Sequence, residues 1–403
     1  MKHLFNSDFI TFLQTLVSNH FFIIILCVLL MAFAIQMFYY LRYYTGICRR
    51  NRAVRNGKIA FAEPLPPASV VVCARNEDEN LQRFLPLVLE QDYPDFEVIA
   101  VNDGSVDGTA DVLRQLQTKY SHLYVTTLED APDRMQRVKS PKKLAMTVGI
   151  KAAHHETLAF IDADCRPSSN QWLRLLMRNF TPETEFVLGY GGYYAEHGFV
   201  SRLISFDTLF IGMQSLGMAY AGHPYMGVGR NMAYRRSTFF RLKGFAGHLH
   251  IPSGDDDLIV NEAGTATNTR IESCKGAQTL SVPKCTFAEW YNQKRRHLTA
   301  SALYTPQSKF MLACEPLSRG LFYLALLAAI ITFNPAVIVA TAAIVLLRYA
   351  VQLIVVNIAA QQLGERKFFL SLPFFDILLP MVSLHLMTLG QWFTRKRDYE
   401  HHW

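Results

Sequence analysis

Hydrophobic residues fall along this chain in three rhythms. Residues 21–41, FFIIILCVLLMAFAIQMFYYL, run for about 20 residues without a charge, enough to cross a hydrocarbon core as a helix. From residue 68 the rhythm changes to short apolar runs alternating with amphipathic stretches. ASVVVCA (68–74) predicts a strand that breaks into the polar loop RNEDEN. A helix follows from Asp78, with Leu81, Phe84, Leu85, Val88 and Leu89 on one face. Phe96–Val101 predicts a second strand, Asn102–Gly108 a turn, and Thr109 the start of a second helix. A third strand is expected at Leu123–Leu128, and Ser140-Pro141 opens a helix over 140–153. Thr157–Ile161 predicts a fourth, buried strand. Beyond residue 317 long apolar runs return. They cover 320–333 and 335–358, parted by Asn334-Pro335, and then 368–393, broken by Pro373 and Pro380.

Repeated β–loop–α units with acidic and small residues at the strands' carboxyl ends are the pattern of a nucleotide-binding sheet. Neither a GxGxxG nor a P-loop signature is present, so a dinucleotide fold and a P-loop NTPase are set aside. The strongest local signal is FIDADC (160–165). Alternation along a strand would point Asp162 and Asp164 to one side just beyond the sheet. Paired carboxylates there suit Mg²⁺ or Mn²⁺ shared with substrate phosphates, although a DAD strand end can also be a plain helix cap. Asp103, in the turn NDGS, is either a turn former or an acceptor for a base or ribose. Lys142 and Lys143 stand in the first turn of a helix, where the dipole disfavours cations. An anionic partner such as a diphosphate accounts for them, as does solvation on a surface helix.

Composition adds the surroundings. The chain has 403 residues, a net charge of +7 and seven cysteines. No CxxC pair occurs, which argues against a zinc site and a disulfide framework and for a reducing compartment. The basic excess gathers beside the apolar ends: Arg42, Arg49, Arg50, Arg52, Arg55 and Lys58 follow the first run. It reads as membrane-facing charge and not as a nucleic-acid surface, and by the charge rule it puts the next domain in the cytoplasm. A cleaved signal peptide ending at MAFA is disfavoured because the apolar run continues past it. The expected organisation is a segment 1–18, a transmembrane helix 19–43, a cytoplasmic domain 65–300 and a membrane region 317–393 with spans near 317–333, 335–358 and 371–392. Gly364-Glu-Arg-Lys367 and Arg395-Lys-Arg397 both call for the cytoplasm, which one simple span between them cannot satisfy. Either 368–380 lies in the interface or the tail faces out.

ARNEDENL, QDYPDFEVIAVNDGSVDGT, KKLAMTVGIKAA and FIDADC, in that order, resemble the inverting family 2 glycosyltransferases of the GT-A fold. The resemblance covers 68 to about 300, and the flanking spans match membrane-bound members similar to processive polysaccharide synthases. It implies a GT-A mixed sheet flanked by helices, with one amino-terminal and two or three carboxyl-terminal transmembrane helices. It implies a nucleotide-sugar donor with Glu77 and Asp103 beside base and ribose, Lys142 near the diphosphate, and a metal on Asp164 with Asp162 in its shell or on the ribose. In MGVGRNMAYRRSTF (226–239), Asn231 and Arg235 fall at the places expected before the acceptor site. SGDDDLIVNEA (253–263) corresponds to an acidic pair whose second member is the catalytic base. That carries over to Asp256 with Asp255 as its partner, while a shift of one makes Asp255 the base. WYNQKRRHL (290–298) resembles the QxxRW segment, with Gln293 and Arg296 at the donor and His297 where tryptophan would stack on the acceptor. This departure weighs against processivity.

The expected enzyme is an inverting hexosyltransferase at a bacterial-type inner membrane, using Mg²⁺ or Mn²⁺. Its partners are a nucleotide-sugar, a glycan or lipid-linked acceptor and membrane lipids, with no nucleic acid. Phe199–Tyr220 is expected as an apolar helix that either lies along the membrane or packs in the core. Single-sugar transfer to a lipid, a nucleotidyltransferase releasing pyrophosphate, and a non-catalytic nucleotide-binding transport or scaffold protein are the rival readings.

Overall fold

The computed structural model describes residues 2–129 and 140–388. Seven strands form one mixed sheet. They are β1 (Ala68–Ala74), β2 (Phe96–Asp103), β3 (Leu123–Leu128), β4 (Thr157–Phe160), β6 (Phe186–Leu188), β8 (Met232–Arg235) and β9 (Thr269–Ile271), in the order β3-β2-β1-β4-β8-β6-β9. The first four are parallel, and β8 runs antiparallel to both β4 and β6. The chain moves outward from β1 to β3 and then returns to place β4 on the other side of β1. This reversal opens a crevice at the carboxyl ends of β1 and β4, where open α/β sheets bind ligands. β1 and β2 are buried nearly throughout, which is why they read as continuous apolar runs. Helices Asp78–Leu89, Thr109–Lys119 and Pro141–Ala152 complete the βα units near the expected starts.

Three short strands, β5 (Cys165–Pro167), β10 (Thr279–Ser281) and β7 (Gly191–Tyr193), form a second sheet beside the crevice. The stretch EFVLGYGGYY (185–194) thus supplies two strands to two sheets. It breaks at Gly189, where an added Cβ would lie 2.6 Å from the Asn231 side chain. The DAD aspartates differ from expectation. β4 ends at Phe160, and Asp162 and Asp164 lie in the turn leading to β5, so the turn brings them together and not strand alternation.

Phe199–Tyr220 is a helix, as expected, and it packs as core. Most of its side chains are buried between the sheet and the amino-terminal helices. Helix Lys2–Tyr39 continues through a π turn at Tyr40–Tyr44 into helix Gly46–Arg55. This last helix crosses Phe199–Tyr220 at a pair of glycines: a Cβ on Gly46 would sit 2.6 Å from the Gly217 Cα, and one on Gly217 only 2.1 Å from the Tyr43 carbonyl oxygen. Arg50 then anchors the helix to the sheet edge through buried Glu272, at 2.7 Å, which Arg178 also reaches at 3.0 Å.

Among the described residues three helices are long and apolar enough to cross a membrane: one spanning His20–Arg55, then Pro306–Ile331 and Pro335–Leu363. The last begins where the sequence broke, with the Asn334 side chain accepting from the Ala336 and Val337 amides. The loop after it returns to the sheet. Glu365 accepts from Tyr190 at 2.8 Å and Ser205 at 3.0 Å, so residues 364–367 lie on the α/β side. Helix Leu372–Thr388 has 17 described residues. Phe374 and Phe375 meet Phe199 near its start, and His385 faces Tyr291 near its end. Both ends of this helix touch the α/β portion. Residues 395–397, the other half of the charge conflict, lie outside the described residues.

A buried polar network joins these helices. Asp376 receives Arg348 at 2.7 Å, Arg319 at 3.3 Å and the Tyr323 hydroxyl at 2.5 Å; Gln352 donates to it at 3.0 Å and to Tyr40 at 2.8 Å. Arg319 also pairs with Glu315, and Arg348 donates to Gln36 at 2.6 Å. Arg348, a charge inside an apolar helix, is thus paired.

Candidate active site

The crevice beyond β1 and β4 has a wall of Cys73, Lys142, Met146, Asp162 and Gly229. Lys142 stands at its centre. Its ammonium lies 2.8 Å from Asp162 and 3.9 Å from Asp255, so one cation touches both acidic segments, which are far apart in sequence. Burial works against the Lys142 charge, but Asp162 and Asp255 outweigh it and raise its pKa. Burial likewise pushes the Asp162 carboxyl up, while Lys142, with Arg230 and Arg296 behind it, holds it below the usual range.

Ligand atoms of Asp162, Asp164 and Cys165 lie within 4.8 Å of one another. Asp164 is oriented from two sides, by the Cys165 thiol at 3.1 Å and the Ser281 hydroxyl of β10 at 3.1 Å. Two carboxylates at this spacing, each with lone pairs beyond those bonds, fit a hard divalent cation. Glu77, at the start of helix Asp78–Leu89, accepts from Asn80 at 2.6 Å, and burial raises its pKa, with the charges of Asp164 and Asp162 adding to the rise. Asp103 is buried at the end of β2.

The three successive aspartates divide their work. Asp257 is buried and accepts from the Tyr304 hydroxyl at 2.8 Å; burial, then the Asp256 charge, lift it well above the usual range. Asp256 starts helix Asp257–Ala263, accepting from the Asp257 amide at 2.9 Å with one oxygen and from the Gly229 amide at 2.7 Å with the other. Burial and the neighbouring Asp255 charge push it up to about 6. Asp255 is the member that faces Lys142. The loop before them is pinned by Lys143, whose buried ammonium donates to the carbonyls of His248 at 2.7 Å, Ile251 at 3.1 Å and Ser253 at 2.7 Å. Of the two lysines that break the dipole rule, Lys142 meets side-chain acids and Lys143 meets backbone carbonyls.

Helix Phe287–Ser301 forms the far wall. Gln293 donates to the Tyr193 hydroxyl at 3.4 Å, Arg296 contributes to the field on Asp162, and His297 is exposed on the same helix. Asp207 holds this helix through Lys294 at 2.5 Å and Trp290 at 3.3 Å.

Two expected acceptor residues are corrected. Asn231 is fully buried, accepting from Trp172 at 2.9 Å and donating to the Tyr190 and Ala277 carbonyls at 2.8 and 2.9 Å. It braces the two sheets and has no surface for an acceptor. Arg235 lies at the wrong end: β8 runs antiparallel to β4, so Arg235 pairs with Thr157 while Met232 pairs with Phe160 beside the DAD turn. Its guanidinium is spent on the carbonyls of Thr184 and Thr181. The residue at the crevice is Arg230, which immediately precedes Asn231 and whose charge acts on Asp162.

Two family models match the chain: glycosyl transferase family 2 over residues 69–241, and glycosyl transferase family group 2 over residues 158–389, more than half of it. The chain belongs to the family 2 glycosyltransferases. Among family relatives, glycosyltransferase AglE of Haloferax volcanii is 38% identical over 111 residues, 27% of this chain and 34% of that protein. The poly-beta-1,6-N-acetyl-D-glucosamine synthase of Staphylococcus epidermidis is 32% identical over 96 residues, 24% of this chain and 21% of that protein. The chain thus spans about a third or less of these relatives' lengths. The GT-A fold is shared with the mannosyltransferase PcManGT of Pyrobaculum calidifontis, solved with GDP-mannose and Mn²⁺. The TM-score is 0.56 at 19% identity, over 91% of this chain and 99% of that one.

Proposed function

We propose that the chain transfers a sugar, with inversion, from a nucleotide-diphospho-sugar to an acceptor hydroxyl at the cytoplasmic face of a membrane. The observation that carries this reading is Lys142, which at 2.8 Å from Asp162 and 3.9 Å from Asp255 puts the donor-side and acceptor-side acids in one crevice. The acceptor is a hydroxyl of a glycan or a lipid-linked sugar. In support, the far wall of the site runs through Tyr304 directly into the apolar helix Pro306–Ile331.

Asp255 removes the acceptor proton as the hydroxyl oxygen bonds to the anomeric carbon from the side opposite the leaving group. The anomeric carbon–oxygen bond to the diphosphate breaks, and the nucleoside diphosphate leaves with the electron pair. Asp255 is preferred over Asp256 because both Asp256 oxygens already accept backbone N–H groups. The raised pKa of Asp256, about 6, favours it as the second candidate, since a general base works best near its operating pH. Asp164 and Asp162 would hold Mg²⁺ or Mn²⁺, which supplies positive charge against the leaving diphosphate. Lys142 and Arg296 add fixed positive charge there. In this reading Glu77 meets the nucleoside, while Asp103, fully buried at the end of β2, acts from beneath the surface.

The test is nucleoside diphosphate release by the detergent-solubilised full chain, using donors that include GDP-mannose and UDP-N-acetylglucosamine with Mn²⁺ or Mg²⁺. Release, lost in Asp255→Asn, is expected. Pyrophosphate in its place would mean nucleotidyl transfer. Near-normal transfer by folded, donor-binding Asp255→Asn and Asp256→Asn would remove the base assignment.

A further inference from the structure

We propose that Arg230, seated on Tyr193, binds the diphosphate of the donor and of the departing nucleotide. This rests on the reading above that a nucleoside diphosphate leaves.

The small sheet sets the geometry. In its register Cys165 pairs with Ser281 and Ser281 pairs with Tyr193, so the three stand in one row. Neighbouring strands are about 4.8 Å apart, which puts Tyr193 about 10 Å from the residue next to Asp164. Asp164 is bonded by Ser281, the middle member of that row. A group held on Tyr193 and reaching back along the row therefore comes to the phosphate end of the crevice.

Arg230 is held in that place. Its guanidinium lies 4.4 Å over the Tyr193 ring, donates to the Tyr193 hydroxyl at 3.2 Å and to the Gly191 carbonyl at 2.6 Å. Gly191 makes room for it: an added Cβ would lie 2.5 Å from the Arg230 Nε and 2.9 Å from its Cγ. Among the described residues Nε has no hydrogen-bond partner, and each Nη carries a second N–H beyond the bonds just named. No carboxylate is paired with it among the described ion pairs, although Asp162 feels its charge. On its amino side the chain is fixed by the Gly229 amide on Asp256. A guanidinium fixed at two points beside a metal-type aspartate pair, with N–H groups left over, suits the planar, forked recognition of phosphate oxygens. The same tyrosine hydroxyl accepts from Gln293, one turn before Arg296, so Arg230 and the Gln293–Arg296 helix share one anchor.

The test compares binding of GDP and UDP with binding of GMP and UMP, all with Mn²⁺, to the full chain and to R230M and R230K. A charged hydrogen bond of this kind is worth about 10- to 100-fold in affinity. R230M is expected to lose that much for the preferred diphosphate and less than about threefold for the matching monophosphate; R230K is expected to fall between. A purely packing role would weaken both nucleotides alike, and equal losses, or none, overturn the proposal. Should R230M fail to fold, R230K decides on the same ratio: a selective loss for the diphosphate supports the proposal, and wild-type binding overturns it. If the wild-type chain binds neither diphosphate and releases none from any donor, the functional reading itself falls. Wild-type binding with an unchanged R230M removes only Arg230.

Discussion

Among the places where acids and cations meet in the described residues, two are finished differently. Among the apolar helices two carboxylates face two arginines. Asp376, 2% exposed, receives Arg348, Arg319, Tyr323 and Gln352, and Glu315 pairs with Arg319. In the crevice one lysine, with its side chain 33% exposed, stands between Asp162 and Asp255, and Asp164 and Asp256 stand close by. The first group has used its hydrogen-bonding capacity on itself, and its product is alignment of four helices. The second is short of cations and keeps lone pairs for something that arrives later. Buried charge alone does not distinguish a brace from a reaction site; the unspent valence does.

The strongest way to break this comparison is to neutralise one acid in each place. Asp255→Asn should lower turnover about 10²- to 10⁴-fold and leave the thermal unfolding midpoint unchanged or slightly higher, because a like charge beside Asp256 is removed. A loss below about fivefold in nucleoside diphosphate release would take Asp255 out of the chemistry. Asp376→Ala should do the reverse. Leaving Arg319 and Arg348 underpaired costs about 3–5 kcal/mol, read as early unfolding in detergent, while the molecules still folded keep their turnover. A stable Asp376→Ala protein with no activity would mean that the helical network takes part in catalysis.

The crevice was legible in the sequence where its chemistry is local. FIDADC, Lys142 and the aspartate run fall together as expected because each sits just beyond a strand or at a helix start, and apolar runs and capping residues mark those points well. The failures come from direction and contact. Nothing local says that β8 runs antiparallel to β4, so Arg235, expected beside the acceptor site, belongs to the opposite end. Nothing local says that Asn231 meets Trp172, so a buried brace read as a binding residue. Arg230 and Tyr193 needed the second sheet, whose three-residue strands are too short to show a period. The division among Asp255, Asp256 and Asp257 is set by Lys142, Gly229 and Tyr304, partners that lie 27 to 113 positions away.

A smaller effect separates Asp256 from its neighbour. Its folded pKa is raised from 3.8 to about 6. The proton is therefore held more tightly in the native state: the contribution is fully present below pH 3.8 and is lost as pH rises through about 6. The loss amounts to at most about 3 kcal/mol, less for a partly exposed side chain. Asp256→Asn cannot ionise and escapes it, but its amide accepts fewer N–H bonds, a cost of about 1 kcal/mol. The variant should unfold earlier than wild type at pH 4.5 and close to it, or later, at pH 7.5. A difference that does not vary with pH would show that Asp256 titrates normally.

The smallest expected effect probes how firmly the far wall is set. Helix Phe287–Ser301 opens with a capping box in which the Thr286 hydroxyl accepts from the Glu289 amide at 3.2 Å and the Glu289 carboxylate accepts from the Thr286 amide at 3.0 Å. Thr286→Ala should cost about 1 kcal/mol of stability. Turnover should hold within about twofold, because the helix is fixed again further along. Asp207 holds Trp290 and Lys294, and the Ser253 hydroxyl donates to the Arg296 carbonyl at 3.0 Å, so Gln293 and Arg296 stay in place when the first turn frays. If turnover instead falls as it does in the crevice variants, the cap is part of what aims Arg296. The crevice then depends on a surface turn outside it, and the line drawn between brace and reaction site has to move outward to include the start of this helix.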